Sequence, residues 1–210
     1  MDEKIYRLFP ECKDYLWGGE RLKTEYGKIT DKTPCAESWE LSFHNDGLTK
    51  IADGSVKLRL SDQVVDDIVS EALRHIDRRS AEHHIMADCG DTPLLVRVDA
   101  GLIMQVIINL VNNAIKYTPA DSVIRITAIQ QENMAEIRVI DNGSGIPDEI
   151  KKHVFEMFFT GSNLIGDSRR SLGLGLTLCQ TIIYAHHGEL TLKDNTPHGC
   201  IFPLQYHLVR

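Results

Sequence analysis

The sequence lacks paired cysteines. Its five, Cys12, Cys35, Cys89, Cys179 and Cys200, are scattered with no Cys-x-x-Cys spacing, which speaks against both a zinc knuckle and a disulfide framework. They read as reduced thiols of a cytoplasmic chain. Basic runs are missing too: nothing exceeds Arg78-Arg79 and Arg169-Arg170, and the net charge is −7, so no nucleic-acid partner is expected. No apolar stretch approaches the ~20 residues of a membrane span, and no membrane segment is expected in this chain. There is no internal repeat, low-complexity tract or flexible linker. Tryptophan is absent from the larger part of the chain, since Trp17 and Trp39 both lie before residue 55.

That asymmetry divides the sequence. Residues 1–54 collect the tryptophans with Tyr6, Phe9, Tyr15, Tyr26 and Phe43, among dense turn signals such as Trp17-Gly18-Gly19 and Asn45-Asp46-Gly47. The intervals between the turns are short and strand-like, which reads as a β-rich fragment. From 55 to 210 the texture changes to strands alternating with long helices. With 42% hydrophobic residues over 210 positions, the chain can build one medium core or two small ones.

The expected order in the second part begins with a strand from Val56 to Leu60. A helix capped by Ser61 or Asp62 and running to about Arg79 follows, with Val64, Val65, Ile68, Val69, Ala72, Leu73 and Ile76 as its buried stripe. Strands are expected at His84 to Cys89 and Leu94 to Val98, then a helix capped by Asp99 and stopped by Pro119. Val123 to Gln130 and Ala135 to Asp141 form an antiparallel pair joined by Gln131-Glu132-Asn133. A short helix at about Asp148 to Phe155 precedes a polar stretch from Thr160 to Ser171. A helix from Leu174 to His187 is closed by Gly188 as C-terminal cap, before strands at Glu189 to Lys193 and Cys200 to His207.

The helix after Asp99 carries an unusual polar side. Gln105, Asn109 and Asn113 recur every four residues, with Lys116 and Tyr117 close behind, so they share one face. Val106, Ile107, Leu110, Val111, Ala114 and Ile115 make a wide apolar arc suited to docking on a sheet. Asn costs roughly 0.5 kcal/mol against Ala inside a helix, so a cluster of amides there points to a ligand needing neutral oxygens and one cation. Two glycine-bearing stretches follow. In Asp141-Asn142-Gly143-Ser144-Gly145-Ile146-Pro147 a carboxylate can accept from an exocyclic amine while the backbone passes close to a flat ring. The same residues also suit an ordinary Asx turn. Gly173-Leu174-Gly175-Leu176 opens a helix whose free N–H groups suit phosphate, or simply packs close to a sheet.

Taken in order, these stretches resemble the GHKL ATP-binding superfamily, and within it the catalytic domain of sensor histidine kinases, over roughly residues 56 to 206. The matching boxes are Asn109-Leu-Val-Asn-Asn113-Ala-Ile-Lys116-Tyr117, Asp141-x-Gly143-x-Gly145, Phe155-Glu-x-Phe158-Phe159 and Gly173-Leu174-Gly175-Leu176. The run Asp167-Ser-Arg169-Arg170, with Ala185-His186-His187-Gly188 and Asp194-Asn195-x-Pro197-x-Gly199, is most similar to the KdpD type, the turgor- and potassium-responsive kinases. The fold implied is α+β, a two-layer sandwich with a mixed, mostly antiparallel sheet covered by helices on one face. A short β-rich extension precedes it.

The resemblance also implies roles. Asn113 matches a Mg²⁺ ligand bridging the phosphates of ATP. Asn109 stands where hydrolysing relatives carry a catalytic carboxylate; an amide cannot take a proton from water, which fits a phosphoryl donor rather than a hydrolase. Lys116 would neutralise phosphate, and Tyr117 would lie along adenine or ribose. Asp141 would read the adenine amino group, with Gly143, Gly145 and Ile146 shaping the loop against the base. Phe158 would anchor a lid over Thr160 to Leu172, from which Arg169 or Arg170 reaches the phosphates. Gly173, Leu174, Gly175 and Leu176 would bring backbone amides onto them.

Two departures stand out. Ser171-Leu172 occupies the place of the usual first glycine in the last box. None of the nine histidines sits in a phosphoacceptor context, so the acceptor, on a histidine-bearing dimerisation domain, and the response regulator are expected in other chains or to have been lost. Residues 1–54 resemble the opening of class I, cupin-type mannose-6-phosphate isomerases. They do so through Leu8-x-Pro10, Tyr15-Leu16-Trp17-Gly18-Gly19-x-Arg21-Leu22, Tyr26-Gly27-Lys28, Ala36-Glu37-Ser38-Trp39-Glu40-Leu41-Ser42 and His44-Asn-Asp-Gly47. That implies a fragment without a complete site; a sugar-phosphate isomerase or bare interaction module is the alternative function. Gln205-Tyr-His207 imitates a Gln-x-His ligand pair but falls in the expected last strand. The fragment's strand edges are expected to stay poorly ordered, to pair with a second copy as a homodimer, or to pack on the ATP domain.

Overall fold

The structure is a computed structural model and describes residues 58–76, 82–157, 159 and 173–209. Residues 1–54 with their expected isomerase resemblance, Phe158, and the expected lid with Arg169 and Arg170 lie outside the described residues. The chain divides into two units, Met1–Lys57 and Leu58–Arg210, and the second is described here.

It opens with β1, Ser61–Val64, and α1, Val65–Arg74. This corrects the expected strand and cap. Leu58–Leu60 form no strand, and Ser61 and Asp62 pair instead with β3, Leu95–Val98, in antiparallel register from Ser61 opposite Val98 to Val64 opposite Leu95. The Asp62 carboxylate meets Arg97 across this ladder at 3.5 Å. A strand partner more than thirty residues away outweighs local cap preference here. The helix begins after Val64 without a side-chain cap, with Asp66 and Asp67 in its first turn complementing the helix dipole. Its buried residues are Val65, Ile68, Val69 and Ala72; Leu73 and Ile76 are only half-buried.

The main sheet has the order β2-β4-β5-β8-β6, with β7 also on β8. The strands are β2, His84–Asp88; β4, Val123–Gln131; β5, Met134–Asp141; β6, Glu189–Leu190; β7, Lys193–Asp194; and β8, Cys200–His207. Only β2 and β4 are parallel; the other pairings are antiparallel, as the α+β, mostly antiparallel expectation requires. One face carries Ile124, Ile126 and Ala128 of β4, Ala135, Ile137 and Val139 of β5, and Phe202, Leu204 and Tyr206 of β8, all buried. The register sets them in rows, such as Ile126 opposite Val139 and Val139 opposite Phe202. Against this face pack α1, α2 (Ala100–Tyr117) and α4 (Gly175–Ala185). Burial of each such side chain stabilises by about 1.5–3 kcal/mol. On the opposite face Glu136 accepts from Arg138 and from Gln205 Nε2 at 2.6 Å. Burial pushes this carboxyl up, but those bonds outweigh it and hold it below the usual range. Gln205 is thus engaged within the sheet.

Three further boundaries differ from expectation. The strand expected from Glu189 to Lys193 is broken into β6 and β7. Helix α3 is only Asp148–Lys151. At the end of α4 it is His187, at φ +57, that takes the left-handed position. His187 N donates to Tyr184 O at 2.9 Å and Gly188 N to Ile183 O at 3.0 Å, a Schellman ending. Gly188 is required for another reason: a Cβ there would stand 2.5 Å from Gln205 O of β8. Among the described residues no helix is long and apolar enough to cross a membrane.

Candidate functional site

Helix α2 is fastened at its start. Asp99 Oδ1 accepts from Leu102 N at 3.4 Å as N-cap, its Oδ2 accepts from Arg59 N at 3.0 Å, and its own N–H donates to His186 Nε2 at 3.1 Å. His186 Nδ1 donates to Ile182 O at 2.7 Å, so both ring nitrogens are engaged by the neutral tautomer. Burial pushes this imidazole below its ordinary pKa.

Along α2 the expected polar line forms. Gln105 Nε2 donates to Asn109 Oδ1 at 3.5 Å. The buried Asn109 Nδ2 has no conventional hydrogen-bond partner among the described residues. The Cys179 thiol beside it, pushed up to about 12 by burial, offers only a weak sulfur contact. A buried donor left unpaired costs about 1–3 kcal/mol, a deficit that a ligand oxygen or ordered water removes. Asn113 is half-buried and its amide has no partner among the described residues. Lys116 Nζ stands 4.9 Å from the Tyr117 ring centroid, and Tyr117 is 59% exposed. The helix closes on Thr118, whose Oγ1 donates to Ala114 O at 2.7 Å and accepts from His83 Nε2 at 3.1 Å.

The Asp141 loop is held against that helix end. A Cβ at Gly143 would lie 2.7 Å from Thr118 Cγ2. A side chain here would crowd the Thr118 methyl and Asp141 Oδ1, a constraint on this glycine that stands beside the close approach to a base expected from the sequence. Asp141 is buried; its Oδ1 accepts from Gly143 N at 2.9 Å and Cys200 N at 3.2 Å. Burial raises its pKa, and these two bonds offset the shift only in part. Its Oδ2 has no partner among the described residues. Asn142 Oδ1 accepts from Val123 N at 2.8 Å. Gly145 adopts φ +76, a left-handed geometry natural to glycine, and Ile146 is half-buried.

The third stretch differs in kind. Gly173 has φ +67, Leu174 is buried, and Gly175 opens α4 with no side-chain cap. A Cβ at Gly175 would meet nothing within 4 Å. Leu176 is half-buried, and the next residue, Thr177, donates Oγ1 to Phe155 O at 2.9 Å. The first turn of α4 thus has no side-chain cap among the described residues, and its leading N–H groups, which a helix leaves without intrahelical partners, suit an anion. Contacts tie α2 to the Asp141 loop and to the body of α4: Thr118 lies against Gly143, and Cys179 Sγ is 3.9 Å from Val106 O. The sequence motifs gave no site role to His83, Thr118 or His198; the run Asp194-Asn195-x-Pro197-x-Gly199 marked the last turn without showing that Asn195 holds the Asp141 loop.

The profile of the family described as Histidine kinase-, DNA gyrase B-, and HSP90-like ATPase matches residues 98–209. Sensor protein KdpD of Clostridium acetobutylicum is 36% identical over 155 residues, covering 74% of this chain and 17% of that protein. Adaptive-response sensory kinase SasA of Gloeothece citriformis is 36% identical over 108 residues, covering 51% of this chain and 27% of that protein. The chain thus spans less than a third of these relatives. The catalytic domain of histidine kinase ThkA superposes with a TM-score of 0.63 at 26% identity, over 71% of this chain and 95% of that one.

Proposed function

The chain belongs to the histidine kinase-, DNA gyrase B- and HSP90-like ATPase family, and from that premise we propose that residues 55–210 are the ATP-binding catalytic domain of a KdpD-like sensor histidine kinase. The observation that carries this reading is the buried Asp141, with one carboxylate oxygen bonded to two backbone amides and the other without a partner among the described residues. A fixed acceptor of this kind suits the exocyclic amine of adenine. Gly143, Gly145 and Ile146 shape the loop, and Tyr117 covers the nucleoside.

Lys116 and the first turn of α4, from Gly173 through Leu174 and Gly175 to Leu176, bind phosphate by charge and backbone N–H. The amide oxygen of Asn113 suits Mg²⁺, a hard cation, which when bound neutralises phosphate charge. Asn109 hydrogen-bonds and orients without accepting a proton, which favours phosphoryl donation over hydrolysis. Phe158, Arg169 and Arg170 complete the assignment from the lid. The acceptor is a histidine on a dimerisation domain, and a response regulator is served through it. The reading implies a cytoplasmic location, where ATP is available. We assign residues 1–54 to a separate, isomerase-like fused piece without a complete site, on its sequence motifs alone.

Titration of the chain with a non-hydrolysable ATP analogue and Mg²⁺ tests this. Saturable binding is expected, weakened at least about thirtyfold by Asp141→Ala, which removes a charge-assisted bond. Absence of binding, or indifference to that substitution, would sink the proposal.

A further inference from the structure

Three consecutive carbonyls of the Asp141 loop are gripped by side chains of one turn that lies more than fifty residues later. Asn195 Nδ2 donates to Asp141 O at 2.8 Å. His198 Nδ1 lies 3.0 Å from Asn142 O and 2.9 Å from Gly143 O. A carbonyl can only accept, so Nδ1 carries the ring hydrogen and shares it between the two. The turn is itself braced: Asn195 N donates to Gly199 O at 3.0 Å and Thr196 N to Asn195 Oδ1 at 2.9 Å. Lys151 Nζ holds Asp194, just before the turn, at 2.6 Å. Gly199, at φ +114, passes so close to Asp141 that a Cβ would stand 2.1 Å from its carbonyl oxygen.

With these bonds made, the loop from Asp141 to Gly143 has its carbonyls, the Gly143 amide and one carboxylate oxygen all engaged. Asp141 Oδ2 is the acceptor left over among the described residues. We propose that His198 is a positioning residue for recognition of the adenine base, holding the loop so that this oxygen stands ready for the exocyclic amine. The inference rests on the ATP-binding reading above and goes beyond it, since it gives a role to a side chain whose ring contacts the carbonyls of Asn142 and Gly143. A loop free to flex would have to be ordered by the ligand, and that ordering would weaken binding.

The side-chain geometry supplies a specific test. Asn carries its Nδ2 the same number of bonds from Cα as the Nδ1 of His, whereas Gln places its donor one atom further out. In the full chain, His198→Ala and His198→Gln are expected to weaken ATP binding about fivefold to tenfold, the worth of one hydrogen bond. His198→Asn is expected to restore it to within about twofold. Affinity for inorganic triphosphate with Mg²⁺ should stay within about twofold in all three, because the phosphate end is untouched. Amide exchange at Gly143 and Cys200 should accelerate in His198→Ala, while Ile126 and Ile137 in the sheet core keep their protection.

ATP affinity unchanged in His198→Ala would overturn the proposal. So would parallel loss of both ligands with faster exchange across the whole sheet, which would mark a merely structural residue. A parent chain that binds no ATP removes the ATP reading; faster Gly143 exchange in His198→Ala would then report a clamp without a base, which overturns the recognition role as well.

Discussion

The loop after β5 and the start of α4 are both built on two glycines, but they are finished in opposite ways. From Asp141 to Gly143 the protein engages the three carbonyls, the Gly143 amide and one carboxylate oxygen, through Asn195, His198 and Cys200, and fills the space where a Cβ at Gly143 or Gly199 would go. At Gly175 it supplies no cap and leaves the space open. On the proposed ATP reading, a base is planar and offers few contacts, so its acceptor is held in advance. On the same reading, phosphates bring their own charge and many oxygens, so a bare helix start suffices. The same contrast runs along α4 itself, open at Gly175 and closed at His186.

Three substitutions press on this contrast. The largest effect is expected at Gly199. A Cβ 2.1 Å from Asp141 O, at φ +114, cannot be relieved by moving a flexible side chain, so Gly199→Ala should lose at least about 3 kcal/mol of stability. Chemical denaturation checks this; a variant as stable as its parent would mean that the loop is not rigidly held.

Next comes the closed end of α4. His186 is buried neutral, with its pKa lowered mainly by burial, while the unfolded chain titrates near the ordinary value of about 6.5. The unfolded state therefore binds more protons in this window, and the stability His186 contributes is present above about pH 6.5 and lost as pH falls towards its lower folded pKa. His186→Ala should cost about 1–2 kcal/mol at pH 7.5, from the two lost hydrogen bonds, and less at pH 5.5. Equal losses at both pH values would remove the titration from the account.

The smallest structural effect is expected at Gly175. With nothing within 4 Å and a helical position, Gly175→Ala should cost no stability and can add up to about 0.5 kcal/mol. ATP affinity should nevertheless fall about tenfold, because phosphate needs the bare backbone. Binding at parental strength would mean the phosphates do not approach there, and the contrast between the two glycine stretches would lose its functional meaning.

Much of this was legible in local order. The period-four amides from Gln105 to Asn113, the cap at Asp99, the stop at Pro119, the β4–β5 hairpin and the two glycine-bearing boxes are short-range patterns, and family membership follows from their sequence. Local propensity does not report partners across the chain. Ser61 and Asp62 look like caps and become a strand because β3 offers them a ladder. Gly188 looks like a helix terminator and serves the approach of β8, while His187 takes the left-handed turn. Gly143 answers to the methyl of Thr118.

What the sequence by itself determined is the identity of the fold and the chemistry of the groups offered to a ligand, since side-chain type and spacing along one helix or loop are written in consecutive residues. Only the tertiary structure decided how those groups are held: that Asn109 keeps a buried, unpaired donor, that one oxygen of Asp141 is engaged and the other is left, and that His198 grips the loop from a distant turn. Those outcomes depend on contacts between segments tens of residues apart, whose geometry no local pattern encodes.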